Sequence, residues 1–137
     1  MDPTESAATE PMVSEWLQVT QSMIDQFGKV TLDPDPMHQD PDWARRNSPF
    51  GHTIAYGFLT VSLLTKLLYS ARKGREGGER AGFAFLNYGF NRLRLVSPVR
   101  AGARIRGHFV RLGDAGTTGA GHPIHRHECR IEIERAS

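Results

Sequence analysis

Residues Thr53–Tyr69 read TIAYGFLTVSLLTKLLY, and the fold turns on what that stretch becomes. Lys66 is its one charged residue, and after Thr53 only Gly57, Thr60, Ser62 and Thr65 interrupt the apolar run. A helix with no wide polar face belongs in a core, wrapped by other elements. Its apolar runs are shorter than the roughly 18 residues that mark a membrane span, so no membrane partner is expected. Arg72 and Lys73 suit the negative pole of the helix dipole, and Gly74 can take the left-handed stop. The expectation is a buried central rod with a sheet around it.

Upstream lies Val30–Pro49, VTLDPDPMHQDPDWARRNSP, with four prolines, four aspartates and one histidine. Proline at that density forbids a long helix or a central strand. A polar, rigid loop is expected, with one short helical turn over Asp42–Arg46 after Pro41. Before the loop, Trp16–Val19 reads as a short strand. Thr20 then caps a helix over Gln21–Phe27, with Met23, Ile24 and Phe27 on one face and Gly28 as its end. Residues 1–14 are acidic and lack an apolar stretch, so they read as a disordered leader rather than a secretory signal.

Downstream, Lys73–Arg80 is a charged, glycine-rich connection. Phe83–Val96 reads as a long strand bent near Gly89. Ser97–Gly102 is turn material. Ala103–Leu112 alternates, with Ile105 and Phe109 on one face and Arg104, Arg106 and His108 on the other. After the glycine-rich Gly113–Gly121, Ile124–Ile133 reads as a last strand. Helices followed by consecutive antiparallel strands argue an α+β class, with one domain over residues 15–137.

A chain of 137 residues with 23% charged and 39% hydrophobic residues is ordinary for a globular domain. The net charge of +2 is too small to argue for nucleic acid. A single cysteine, Cys129, excludes an intrachain disulfide and agrees with a cytoplasmic setting. His125, His127 and Cys129 share a strand face, but no further ligand spacing completes a known site, so no metal is expected. Phe83, Phe85, Tyr88 and Phe90 read as core and dimer-interface aromatics rather than a stacking platform for bases.

Chemistry is expected in the polar loop. Asp33 and His38 stand five residues apart in a proline-stiffened turn, and a carboxylate beside an imidazole can orient it for acid–base work. An Asx-type turn with a surface histidine would use the same residues. Gly57, near the start of the apolar helix, admits close approach to the backbone, where free N–H groups and the dipole favour a developing negative oxygen. The competing reading is a packing glycine.

Asp33, Asp35-Pro36 and His38, followed by TIAYGFLTVSLL (Thr53–Leu64), resemble the motif of the MaoC-like hydratase group of hotdog-fold proteins. That group includes (R)-specific enoyl-CoA hydratases and 3-hydroxyacyl-thioester dehydratases. NYGFNRLRLVSPVRAGARIR (Asn87–Arg106) is similar to the strand–turn–strand of the branch related to nodulation protein N. The resemblance implies a hotdog fold, an antiparallel sheet wrapped around a long central helix. It implies that Asp33 and His38 activate a water that adds to C3 of a trans-2-enoyl thioester. The Gly57 N–H would stabilise the thioester oxygen, and Ser62 would support the aspartate, unless it bonds within its own helix.

Two residues depart from the family pattern. Asp35 stands where Asn is common, and Tyr56 replaces the histidine often found before the helix glycine; both are expected to line the substrate site. The family also closes with one more strand after the position of Ile133. The resemblance further implies a homodimer, an acyl-CoA or acyl-carrier-protein substrate, and no cofactor beyond that thioester. One or two of Arg92, Arg94, Arg100, Arg104 and Arg106, with Arg72 or Lys73, would meet the carrier's phosphates. The alternatives are a hotdog thioesterase and a non-catalytic acyl-thioester-binding protein.

Overall fold

In the computed structural model, which describes residues 10–73 and 86–135, the antiparallel sheet is organised on one long strand. This strand, β3 (Arg104–Thr117), runs five residues past Leu112, into what reads as a glycine-rich loop. It turns into β4 (Pro123–Ile133), which pairs with it. Gly121, with φ 85°, supplies the left-handed residue that the connection needs. The short strands β1 (Met12–Val13) and β2 (Leu17–Gln18) also pair antiparallel with β3, Met12 opposite Phe109 and Leu17 opposite Ile105. Met12 and Val13 therefore belong to the sheet and not to a disordered leader; residues 1–9 lie outside the described residues.

The described chain divides into two compact units. One holds residues 16–65, 93–105 and 133–135. Its helices are α1 (Gln21–Val30), α2 (Pro36–Gln39), α3 (Pro41–Asn47) and α4 (Gly57–Ser62). Val19, Ile24, Ala44, Ile54, Ala55, Tyr56, Leu59, Val99 and Ile105 are its buried apolar residues. As the sequence indicates, Thr20 caps α1, its hydroxyl accepting from the Met23 N–H at 3.1 Å. Residues 53–55 run extended and buried, bridged antiparallel to residues 99–101: Ile54 pairs with Arg100, and the Ala55 N–H reaches the Val99 carbonyl at 2.7 Å.

The other unit holds residues 10–15, 66–73, 86–92 and 106–132. Leu67, Ala71 and Phe109 are buried there, with Ile105 and Phe109 confirming the predicted inward face of β3. Gly107 leaves space for the Phe109 ring, and its N–H and carbonyl both bond Ser14 at 2.9 Å.

Several expectations need correction. The apolar stretch is not one helix from Thr53 to Tyr69. Helix begins at Gly57 and is interrupted at Leu63, giving α4 and then α5 (Leu64–Arg72). The Leu63 N–H is shared between the Leu59 and Thr60 carbonyls, and the Ser62 hydroxyl bonds back to Phe58 O at 2.7 Å, which loosens the regular ladder. Nor is the helix buried all round: Phe58 is 66% exposed. The strand expected over Phe83–Val96 is not formed in its described part, residues 86–96; Phe83–Phe85 lie outside the described residues. Its alternating apolar side chains find no ladder partner among the described residues, and Leu86, Tyr88, Phe90 and Val96 are exposed. No helix among the described residues is long and apolar enough to cross a membrane.

Candidate active site

Asp33, Asp35, His38, Tyr56 and Gly57 all lie in the unit built on α1 to α4. Helix α1 delivers the first of them. It runs through Gly28 to Val30 and stops at Leu32, which takes the left-handed conformation with φ 59°. The Leu32 N–H bonds the Lys29 carbonyl at 3.3 Å, and the Asp33 N–H bonds the Gly28 carbonyl at 2.9 Å. These paired bonds close a helix C-terminus in the manner usual for glycine. A leucine there carries a conformational cost of about 1–2 kcal/mol. Asp33 is thereby fixed by its backbone, while its exposed carboxylate makes no hydrogen bond with the described residues.

A one-turn helix, α2, carries the histidine. Pro36 opens it, and the Asp35 carboxylate caps it by accepting from the Met37 N–H at 2.9 Å. Asp35 is thus engaged as a helix cap. The same geometry points His38 at residues 53–55, where its Nδ1 lies 2.7 Å from the Ile54 carbonyl oxygen. A carbonyl only accepts, so Nδ1 carries the proton, and in the neutral ring Nε2 keeps its lone pair. His38 is half-buried and presents a base rather than a donor at Nε2.

Tyr56 joins the two halves. Its ring is 5% exposed and stacks on the His38 imidazole, with centroids 4.0 Å apart and planes 28° from parallel. Its hydroxyl donates to the Asp33 carbonyl at 2.5 Å and accepts from Gln39 Nε2 at 3.1 Å. Burial pushes the phenol above its ordinary value, so the hydroxyl stays a donor at neutral pH. Gly28 makes room for this contact, because a Cβ there would collide with Tyr56 Oη and Gln39 Nε2. The glycine expected to end α1 instead sits within it as the seat of the tyrosine. Tyr56 is accordingly a brace between Asp33 and His38. Gln39, Gly28 and the Ile54 carbonyl carry no sequence signal for this role, since it depends on contacts across 15 or more residues.

Gly57 opens α4, and Tyr56 before it makes no side-chain capping bond. The Gly57 N–H has no hydrogen-bond partner among the described residues. Leu95 Cδ1 occupies the space a Cβ would need, so the glycine also serves packing. Ser62 donates to Phe58 O within α4 and makes no hydrogen bond to Asp33. Of the candidate phosphate ligands, Arg104 pairs with Glu134, and Arg106 pairs with Glu132 at 2.8 Å. Arg100 makes no side-chain bond among the described residues. With Arg45, His52 and Gln21 it lines an open groove of about 550 Å³ to which no carboxylate contributes.

This architecture is matched by solved hydratase structures. The R-hydratase of Pseudomonas aeruginosa superposes with a TM-score of 0.61 at 20% identity, over 95% of this chain and 88% of that one. The (R)-hydratase from A. caviae involved in PHA biosynthesis gives 0.59 at 19% identity, over 91% and 95%. The sequence profile of the MaoC like domain matches residues 3–125. The chain belongs to the MaoC-like family. Its fold is the hotdog fold of the MaoC-like hydratases. Among MaoC-like relatives, nodulation protein N of Rhizobium leguminosarum bv. viciae is 44% identical over 122 residues, 88% of this chain and 72% of that protein. The 3-hydroxyacyl-thioester dehydratase Z of Mycobacterium tuberculosis is 38% identical over 93 residues, 68% of this chain and 58% of the dehydratase.

Proposed function

We propose that this MaoC-like protein interconverts trans-2-enoyl and (R)-3-hydroxyacyl thioesters of coenzyme A or acyl carrier protein in the cytoplasm. The observation that carries the reading is the His38 ring, whose Nδ1 is engaged by the Ile54 carbonyl so that Nε2 is left as a base. The Asp33 main-chain carbonyl is tied to the Tyr56 hydroxyl, whose ring stacks on His38, and the Asp33 carboxylate makes no hydrogen bond among the described residues.

In the hydration direction, His38 Nε2 and the Asp33 carboxylate hold a water. As an O–H bond breaks and its proton passes to the Asp33/His38 pair, the oxygen bonds C3 and the C2=C3 electron pair moves toward the thioester carbonyl. The Gly57 N–H stabilises the oxygen as it becomes enolate-like. A proton then passes from the Asp33/His38 pair to C2, and the sum is addition of one water. This chemistry needs no metal or redox cofactor. Arg100 in its carboxylate-free groove supports a phosphate-bearing carrier. The exposed apolar side chains of residues 86–96 support a second copy of the chain as partner.

The test uses crotonyl-CoA, following loss of the enoyl absorbance and release of free thiol together. Hydration should appear in the wild type and fall at least ~10²-fold in Asp33→Asn and His38→Ala. Thiol release without hydration would make the protein a thioesterase, and binding without turnover would make it an acyl-thioester-binding module.

A further inference from the structure

The His38 ring is not the only part of that residue under restraint. Its backbone carbonyl accepts from Gln21 Nε2 at 2.8 Å, although Gln21 is the first residue of α1, 17 positions earlier. The other end of the same amide, Gln21 Oε1, accepts from the Thr53 hydroxyl at 2.6 Å. Thr53 is 4% exposed, a buried polar side chain whose hydroxyl hydrogen is directed to this one acceptor. The two partners agree on one orientation of the amide: a hydroxyl donor requires Oε1 on its side, and a carbonyl requires Nε2 on the other.

Thr53 is also the neighbour of Ile54, whose carbonyl holds the imidazole. The contacts therefore close on themselves. From the His38 carbonyl they pass through Gln21 to Thr53, along one peptide to Ile54, and back into the His38 ring. The far side of the circuit is anchored, because the Ala101 N–H bonds the Thr53 carbonyl at 3.0 Å and the Ala55 N–H bonds Val99 O at 2.7 Å. The bond to Nδ1 and the Tyr56 stack hold the ring itself. Gripping the carbonyl as well fixes the backbone and so aims Nε2.

We propose that Gln21 and Thr53 are positioning residues for His38, a clamp that holds its backbone so that the Ile54 carbonyl can select the Nδ1–H form of the ring. The inference rests on the reading of His38 as the catalytic base, but the clamp has a readout of its own. Thr53→Val removes the hydroxyl, Thr53→Ser keeps it, and Gln21→Met removes both amide contacts while keeping length. Asp25→Ala is the control, because Gln21 Nε2 also bonds Asp25 Oδ1 at 2.9 Å and that contact leads away from His38.

Imidazole nitrogen NMR shifts of His38 should report the Nδ1–H form in the wild type, Thr53→Ser and Asp25→Ala, and a mixture of both tautomers in Thr53→Val and Gln21→Met. With crotonyl-CoA, Thr53→Val and Gln21→Met should lose about tenfold in kcat, and Thr53→Ser and Asp25→Ala should stay within about twofold of wild type. The clamp is overturned if Gln21→Met and Thr53→Val leave the His38 shifts as in wild type, whether or not melting temperature drops. Should Gln21→Met fail to fold, the Thr53→Ser and Thr53→Val pair decides alone. A wild type that shows the Nδ1–H form yet hydrates nothing would sink the hydratase reading and leave the clamp standing.

Discussion

Around Tyr56, polar side chains reach main-chain groups: the tyrosine hydroxyl bonds the Asp33 carbonyl, His38 bonds the Ile54 carbonyl, and Asp35 bonds the Met37 N–H. On the β3–β4 hairpin, charged side chains reach one another. Glu132 lies 2.8 Å from Arg106 Nε and 2.7 Å from His108 Nε2, and Asp114 lies 2.8 Å from both Arg111 Nη2 and His125 Nδ1. The Tyr56 and His38 contacts end on main-chain carbonyls, which do not ionise, while the Asp35 cap is the one contact of this group whose acceptor is a carboxylate. The hairpin contacts depend on ionisation and are screened. On the hairpin, two carboxylates are each shared between a guanidinium and an imidazole, whereas the bonds that hold Tyr56 and His38 end on main-chain carbonyls.

The largest expected effect comes from breaking the site's packing. Alanine in place of a helix-interior glycine ordinarily gains up to ~1 kcal/mol. At Gly28 the added methyl meets the Tyr56 phenol, a rigid ring already stacked on His38, and overpacking of this kind costs about 1–3 kcal/mol. Gly28→Ala should therefore be destabilised by about 1 kcal/mol net in urea unfolding and lose hydratase activity together. A variant more stable than wild type would show that Tyr56 is loosely held and that the brace does not exist.

A smaller effect of opposite sign is expected at Leu32. Its left-handed backbone costs ~1–2 kcal/mol, and glycine relieves that while adding up to ~1 kcal/mol of unfolded-state freedom. Leu32→Gly should gain about 0.5 kcal/mol in the same unfolding measurement with activity retained, since Asp33 is held by its own N–H to Gly28. A loss of stability would mean that the Leu32 side chain contributes contacts that outweigh the strain.

Much of this was legible in the sequence because it is local. The Thr20 cap, the inward Ile105 and Phe109, the Pro41 helix and the Asp33–His38 spacing each depend on a few neighbours. What was not legible depends on contacts between distant positions. Nothing in the residues around Gly28 says that Tyr56 will press on it, and the alternation of residues 86–96 reads as a strand whether or not a ladder is available. The interruption at Leu63 was missed because apolarity alone reports burial and not continuity of the helix. Asp33 and His38 can be put forward as candidates from the motif, while Gln39, Ile54 and Gln21, which bond around them, have no motif.

The hairpin side of the comparison is tested by acid. The Arg106 and His108 hydrogen bonds hold the Glu132 carboxyl at about 2, below its ordinary 4.5. Between those values the unfolded chain binds a proton that the folded chain refuses, so this pair's contribution is complete above about pH 4.5 and is lost as pH falls toward 2. Asp114, also held down, first by Arg111, loses its contribution in the same direction. Melting temperature should ease down below about pH 6.5, where burial holds the His127 imidazole below its ordinary value, and decline further through the carboxylate range. Glu132→Gln should start lower and decline less, with Asp114→Asn removing a further part of the slope. Added salt should narrow the gap between wild type and Glu132→Gln, whereas it should leave the Gly28→Ala deficit where it was. If Glu132→Gln declined as steeply as wild type, the acid sensitivity would lie elsewhere, and the contrast between hairpin and site would not hold.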